Sequence, residues 1–126
     1  MPTETATAPR APLPASILSQ GPNLIVSIHA ALDDEQLVRL QRDLLERVGG
    51  QRSHGILIDV AALDVIDSFA ARTLAELAYM AQLRGARTVV VGIAPDVAMV
   101  LVRLGVRIPL THTALDLEEG LAWLGA

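Results

Sequence analysis

The chain has 126 residues, a formal net charge of −4 and a hydrophobic fraction of 52%. This length suffices for one domain with its own core and is too short for two ordinary domains. The negative charge and the scarcity of aromatic residues argue against nucleic-acid binding, which needs basic surfaces or stacking platforms. The absence of cysteine from the sequence excludes disulfides, thiol nucleophiles and zinc–thiolate sites.

Residues 1–15 are rich in proline, alanine and threonine and lack the apolar stretch of a secretory signal. We therefore expect a flexible tail over residues 1–15 and a single domain over residues 16–126. No uninterrupted apolar run reaches the roughly 18 residues that a membrane span requires. The sequence thus favours a cytoplasmic protein that does not enter a membrane.

The segment NLIVSIHA, residues 23–30, is apolar and β-branched and predicts a strand, with a shorter strand before it across a turn. A helical period follows, for which Asp33 is the expected N-cap and Gln36 completes a capping box. The glycine pair at residues 49–50 is the expected end of this helix. Its apolar positions are Leu37, Leu40, Leu44 and Val48.

Residues 55–60, GILIDV, form a continuous apolar run, which is typical of a strand buried on both faces of a parallel sheet. The next segment has helical spacing up to Gly85, and RTVVVGI at residues 87–93 predicts another buried strand. A strand, a helix and a second strand at this spacing indicate a βαβ unit. The apolar stripe of the helix is Ala70, Leu74, Leu77 and Ala81.

Pro95 suits the first turn of a further helix and Gly105 its end, and RIPLTHT predicts a short last strand. Thr113 is the expected cap of a terminal helix that Gly120 weakens. The apolar face of that helix has Leu117, Leu121 and Leu124. These elements predict an α/β domain with a mostly parallel central sheet of four to five strands and about four helices.

Motifs for catalysis, nucleotide binding and metal binding are missing from the sequence. It contains no lysine, no Walker-type loop, no G-x-G-x-x-G loop and no H-E-x-x-H pair. The histidines His29, His54 and His112 are far apart in the sequence, and we interpret them as structural or surface residues. We expect a protein that is not an enzyme and that uses neither a metal ion nor a cofactor.

Three carboxylates, Asp59, Asp64 and Asp67, lie around the end of the buried strand at residues 55–60. The carboxyl ends of parallel strands are where open sheets usually bind ligands and partners. Turn chemistry is the simpler explanation, since aspartate favours such positions. A divalent-ion site has only the spacing in its favour.

Ser68 lies where the second long helix is expected to begin. Serine is a common N-cap, and the physical argument alone favours capping as its role. A phosphate on Ser68 would add about −1.5 to −2 charges beside Asp67 and Asp64. The fold could survive this change while the surface that a partner reads is altered.

The stretches LIVSIHAALDD, GILIDVAALDVIDSFAARTL, GARTVVVGIAPDVAMVLVRLG and TALDLEEGL occur in this order. Through them the chain resembles STAS domains, the fold of anti-anti-sigma factors, and more narrowly the RsbS-type scaffolds of bacterial stressosomes. The resemblance extends from about residue 17 to residue 124, and the D-S-F segment is its most specific element. It implies that Ser68 is the phosphate acceptor of an RsbT-type serine kinase.

The resemblance also implies partners. RsbS-type scaffolds form a large homo- and hetero-oligomeric particle with RsbR-type STAS sensors. The particle holds the kinase until phosphorylation releases it, and an RsbX-type phosphatase resets the state. The expected kinase surface is Asp64, Asp67, Ser68, Phe69 and Arg72.

Two alternatives to the scaffold remain open on the sequence. One is a free anti-anti-sigma factor that binds an anti-sigma kinase and is regulated by the same serine. The other is a nucleotide-binding protein or enzyme that uses the three clustered carboxylates, although the missing lysine and glycine-rich loop count against it.

Overall fold

The computed structural model describes residues 13–105 and 111–125. In this part of the chain five strands form one sheet in the order β1-β2-β3-β4-β5, and four helices pack on it. None of the helices in the described ranges has the length and apolar character of a membrane span. The strands are β1 (Ala15–Gln20), β2 (Asn23–Ile28), β3 (Gly55–Asp59), β4 (Arg87–Val91) and β5 (Thr111–Ala114). The helices are α1 (Asp34–Gln51), α2 (Ser68–Leu83), α3 (Pro95–Arg103) and α4 (Leu117–Gly125).

The sheet is mostly parallel, which confirms the predicted α/β class. β1 pairs antiparallel with β2 through a turn in which Gly21 has a φ of 57°. The other neighbouring pairs, from β2 to β5, are all parallel. Their carboxyl ends therefore lie at one edge of the sheet, called here the carboxyl edge, and their amino ends lie at the opposite, amino edge. The helix that follows each parallel strand begins at the carboxyl edge.

The core occupies both faces of the sheet. On one face, α1 and α2 cover the larger cluster, and each residue of the predicted α1 stripe is at most 4% exposed. On the other face, α4 covers a smaller cluster around Leu57, Val89 and Val91. Residues of β3 alternate between the two clusters, which explains the continuous apolar run in the sequence. Burying one such side chain stabilises the fold by about 1.5–3 kcal/mol.

Most helix boundaries follow the local sequence signals. Asp33 Oδ1 accepts the Gln36 N–H at 2.8 Å, and Gln36 Oε1 accepts the Asp33 N–H at 3.0 Å, so the predicted capping box is present. Pro95 occupies the first turn of α3. Gly85 and Gly105 follow the ends of α2 and α3 with φ values of 87° and 66°, which glycine adopts at little cost.

The predicted end of α1 at residues 49–50 is wrong. The helix continues to Gln51 and ends at Arg52, which is in the left-handed conformation with a φ of 52°. Gly49 instead leaves room for the Arg84 side chain, because a Cβ atom at residue 49 would collide with the guanidinium. A glycine that allows close approach and a glycine that ends a helix are identical in the sequence.

The start of α4 also differs from the prediction. Thr113 lies within β5, and Asp116 provides the cap, with its Oδ1 accepting the Glu119 N–H at 2.9 Å. Gly120 faces the sheet, where a Cβ atom would lie 2.7 Å from Val91 Cγ1 and 2.9 Å from Leu57 Cδ1. This glycine therefore lets α4 approach the sheet closely. Leu121 and Leu124 pack there as expected, whereas Leu117 is exposed.

Candidate functional site

Ser68 lies at the carboxyl edge, at the first residue of α2. The segment before it is held by local hydrogen bonds at the end of β3. The Val60 N–H donates to the Val91 carbonyl at 3.1 Å, and the Leu63 N–H donates to the Val60 carbonyl at 2.9 Å. Ser68 itself is half-buried, between the exposed residues Asp67 and Phe69. The fold thus presents this serine at the end of the sheet where partners usually bind.

Asp67, and not Ser68, is the N-cap of α2. Asp67 has an extended backbone, its Oδ1 accepts the Ala70 N–H at 2.7 Å, and its carbonyl accepts the Ala71 N–H at 3.0 Å. The interpretation of Ser68 as the cap is therefore wrong. A capping side chain bonds the N–H two or three residues ahead, and here the aspartate one residue earlier already occupies that position. None of the hydrogen bonds found among residues 13–105 and 111–125 uses the Ser68 hydroxyl.

The five residues of the expected kinase surface come from one stretch of chain that turns into α2. Asp64 and Asp67 are exposed in the segment before the helix, and Arg72 is exposed one turn into it. Phe69 is 39% exposed, so part of its aromatic ring is accessible at this surface. The surface around Ser68 therefore combines two carboxylates, one guanidinium and one aromatic ring.

The three clustered carboxylates do not form a metal site. Asp59 is half-buried, and its Oδ1 accepts the Ala61 N–H at 2.9 Å, which is turn chemistry. Asp67 is engaged as the helix cap. Within the described ranges no group of three histidine, aspartate or glutamate side chains is arranged to hold a metal ion. The geometry supports turn chemistry for Asp59 and helix capping for Asp67.

All three histidines are exposed, and one of them, His112, also packs against the only tryptophan. The His112 ring stacks on the Trp123 ring, with 4.3 Å between centroids and 6° between planes. The Arg87 guanidinium carbon lies 4.1 Å from the Trp123 ring centroid, and one of its nitrogens donates to the Trp123 carbonyl at 2.7 Å. These contacts give His112 a structural role near the amino end of β4. His29 and His54 lie on the surface.

A groove beside the start of α2 is a feature that the sequence did not predict. Its volume is about 180 Å³, and it lies between the segment that follows β2 and the segment that precedes α2. Because these segments are more than 30 residues apart in the chain, no local pattern indicates the groove. The nearest signal in the sequence is the apolar pair Val65 and Ile66 between two aspartates, and Val65 is 69% exposed. The lining residues are Ile28, Ala31, Leu32, Leu37, Leu63, Val65, Ile66, Asp67, Ala70 and Leu74.

Comparison with known proteins places this geometry in a family. The STAS domain family model matches residues 15–120. The structure of an RsbS variant from Moorella thermoacetica, with glutamate in place of one serine, is 34% identical and has a TM-score of 0.78. That comparison covers 88% of this chain and 94% of the Moorella chain.

Two further relatives agree. A chain of the stressosome, described as a signal integration and transduction hub, is 32% identical with a TM-score of 0.72, and the match covers 87% of this chain and 96% of that one. RsbRA of Bacillus subtilis (strain 168), an RsbT co-antagonist protein, is 28% identical over 97 residues, which are 77% of this chain. The match spans only 35% of the length of RsbRA. Both the family model and the RsbS structure cover most of the chain, and the protein belongs to the STAS domain family.

Proposed function

We propose that the protein is a non-catalytic scaffold of a stressosome. In this proposal it co-assembles with RsbR-type STAS sensors, holds an RsbT-type serine kinase, and releases the kinase when Ser68 is phosphorylated. The similarity to RsbS and to a stressosome chain over almost the whole domain supports the assembly part of the proposal. The similarity to the RsbT co-antagonist RsbRA supports the choice of kinase.

The position of Ser68 relative to the helix cap is the observation that carries the phosphorylation part. Because Asp67 caps α2, the Ser68 hydroxyl can gain a phosphate without removing a hydrogen bond that the helix start needs. A serine that acted as the cap would lose its interaction with the backbone when modified. This arrangement supports a modification of Ser68 that changes the surface without removing the helix cap.

We attribute the effect of the phosphate on kinase binding to the charges at the carboxyl edge. Asp64 and Asp67 already make the surface around Ser68 negative, and the phosphate adds about −1.5 to −2 charges at neutral pH. A kinase surface that fits the unmodified edge is then confronted with a larger, more strongly hydrated anion next to Phe69. Like charges and lost apolar contact both favour release. An RsbX-type phosphatase would restore the original surface.

Phosphate transfer from ATP tests the acceptor directly. The purified protein is mixed with its cognate kinase and labelled ATP, and we expect about one phosphate per chain for the wild type and none for Ser68→Ala. Thr113→Ala, which removes an exposed hydroxyl on β5, is the matched control and should be labelled like the wild type. Full labelling of Ser68→Ala would remove Ser68 as the acceptor.

Particle size tests the scaffold part. Co-expression with an RsbR-type sensor should yield a complex in the megadalton range by sedimentation velocity. A small one-to-one complex with an anti-sigma kinase, and no large particle, would instead identify a free anti-anti-sigma factor.

A further inference from the structure

Arg72 is the positively charged residue of α2 that follows Ser68 by one helical turn. We propose that Arg72 is the intramolecular partner of the phosphate on Ser68. The modified helix start then presents a phosphate paired to a guanidinium and not a free dianion. This inference rests on the proposed function and extends it from the acceptor residue to the residue that holds the product.

The spacing on α2 places the two side chains side by side. Residues four positions apart on a helix have Cβ atoms about 5–6 Å apart. The Cα–Cβ bonds of a helix tilt toward its N-terminus, which brings the long side chain of Arg72 toward Ser68. A negative residue four positions before a positive one is also the more favourable order.

Arg72 is available for this contact. Its side chain is exposed, and it forms no ion pair with any residue that the structure describes. Glu76 lies four positions further along α2, but there the positive residue comes first, which is the weaker arrangement. A phosphate with about −1.5 to −2 charges therefore competes well with the single carboxylate of Glu76.

The carboxylates around Ser68 direct the phosphate toward Arg72. The Asp67 side chain is fixed by its hydrogen bond from the Ala70 N–H and lines the groove together with Ala70. The phosphate is repelled by the Asp67 carboxylate, while the exposed Arg72, which is not among the residues that line the groove, attracts it. The repulsion by Asp67 and the attraction by Arg72 both favour a phosphate that is paired with Arg72.

Arginine suits this role better than lysine would. Its planar guanidinium can donate two parallel hydrogen bonds to phosphate oxygens, whereas an ammonium acts as a point charge. A carboxylate introduced at position 68 has a single charge and a different shape. Aspartate or glutamate at this position therefore reproduces the added negative charge only in part, and does not reproduce the paired phosphate.

A titration of the phosphate measures the pair. Phosphoserine is incorporated at position 68 of the full chain by genetic encoding, so that no kinase is needed, and the second pKa of the phosphate is followed by phosphorus NMR. This pKa is about 6 in an isolated phosphoserine. We expect it to be about 0.3 unit lower with Arg72 present than in an Arg72→Gln variant. Arg72→Lys should give an intermediate value.

Arg47→Gln is the matched control, since Arg47 is an exposed arginine near the C-terminal end of α1, toward the amino edge of the sheet. It should leave the titration unchanged. Equal pKa values for the wild type and Arg72→Gln would overturn the pairing, and far-UV circular dichroism confirms that both are folded. Failure of the kinase assay on Ser68 would contradict the proposed function but would not alter this titration, so the two outcomes are distinguishable.

Discussion

The carboxyl and amino edges of the sheet differ in charge. All four helices of the described residues begin at the carboxyl edge, where acidic residues cap α1, α2 and α4 and occupy the first turns of α1, α3 and α4. The exposed arginines Arg47, Arg52, Arg84, Arg87 and Arg103 lie toward the amino edge. Acidic residues stabilise helix starts and basic residues stabilise helix ends. Because the helices share one direction, these local preferences add up to one polarity for the whole molecule.

The two edges also differ in how they are closed. At the amino edge, Arg84 lies over Gly49, and Arg87 covers the ring of Trp123. At the carboxyl edge, an apolar groove stays open beside the start of α2. The groove at the carboxyl edge is lined mostly by apolar side chains, whereas the groove at the amino edge beside Gly49 is lined mostly by polar and charged residues, among them Arg52 and Arg84.

Gly92 gives the strongest way to disrupt the carboxyl edge. Its φ is 77°, and a Cβ atom there would lie 2.8 Å from Ala61 Cβ and 3.2 Å from the Ala61 backbone. We expect Gly92→Ala to lower the free energy of unfolding by about 2–4 kcal/mol, since strain and overpacking add. Urea denaturation measures this. The amino-edge counterpart Gly49→Ala meets only the mobile end of Arg84 and gains about 1 kcal/mol of helix propensity, so its net change should be small.

A negative charge introduced at position 68 should weaken kinase binding much more than the same charge introduced at the amino edge. Ser68→Asp is expected to weaken binding of the cognate kinase at least tenfold, which is about 1.4 kcal/mol, by isothermal titration calorimetry. Gln51→Asp adds the same charge at the end of α1, at the amino edge, and should change the affinity less than twofold. Equal losses for both variants would mean that total charge, and not its position, controls binding.

The free energy of unfolding can separate the roles of Asp67 and Ser68 at the start of α2. Asp67→Ala removes the cap and should lower the free energy of unfolding by about 1 kcal/mol. Ser68→Ala should stay within about 0.5 kcal/mol of the wild type, as for surface substitutions without a special role. Thermal and urea denaturation of the two variants test this, and a larger loss for Ser68→Ala would return the capping role to the serine.

A modest effect is expected at the amino edge. Arg87→Ala loses a cation–π contact and an exposed hydrogen bond to the Trp123 carbonyl, and should reduce the free energy of unfolding by about 1 kcal/mol. Kinase affinity should be unchanged, because Arg87 lies at the edge opposite Ser68. A clear loss of kinase binding in this variant would extend the partner surface to both edges.

The features that the sequence predicts correctly are those that depend on residues close together in the chain. The α1 stripe, the capping box at Asp33 and the two-sided burial of β3 all depend on residues within a few positions of each other. The cap of α2 was missed by one residue, since Asp67 and Ser68 are both good caps and only the backbone geometry decides between them. The groove and the contact of Gly49 with Arg84 join segments that are distant in the chain.

The shared direction of the helices has a consequence for the kinetics of encounter. A molecule with acidic residues at one end and arginines at the other has a permanent electric dipole. A basic partner is turned toward the acidic end while still several ångströms away, before any surfaces touch. Association rates should therefore fall as salt screens this field, while dissociation rates change little.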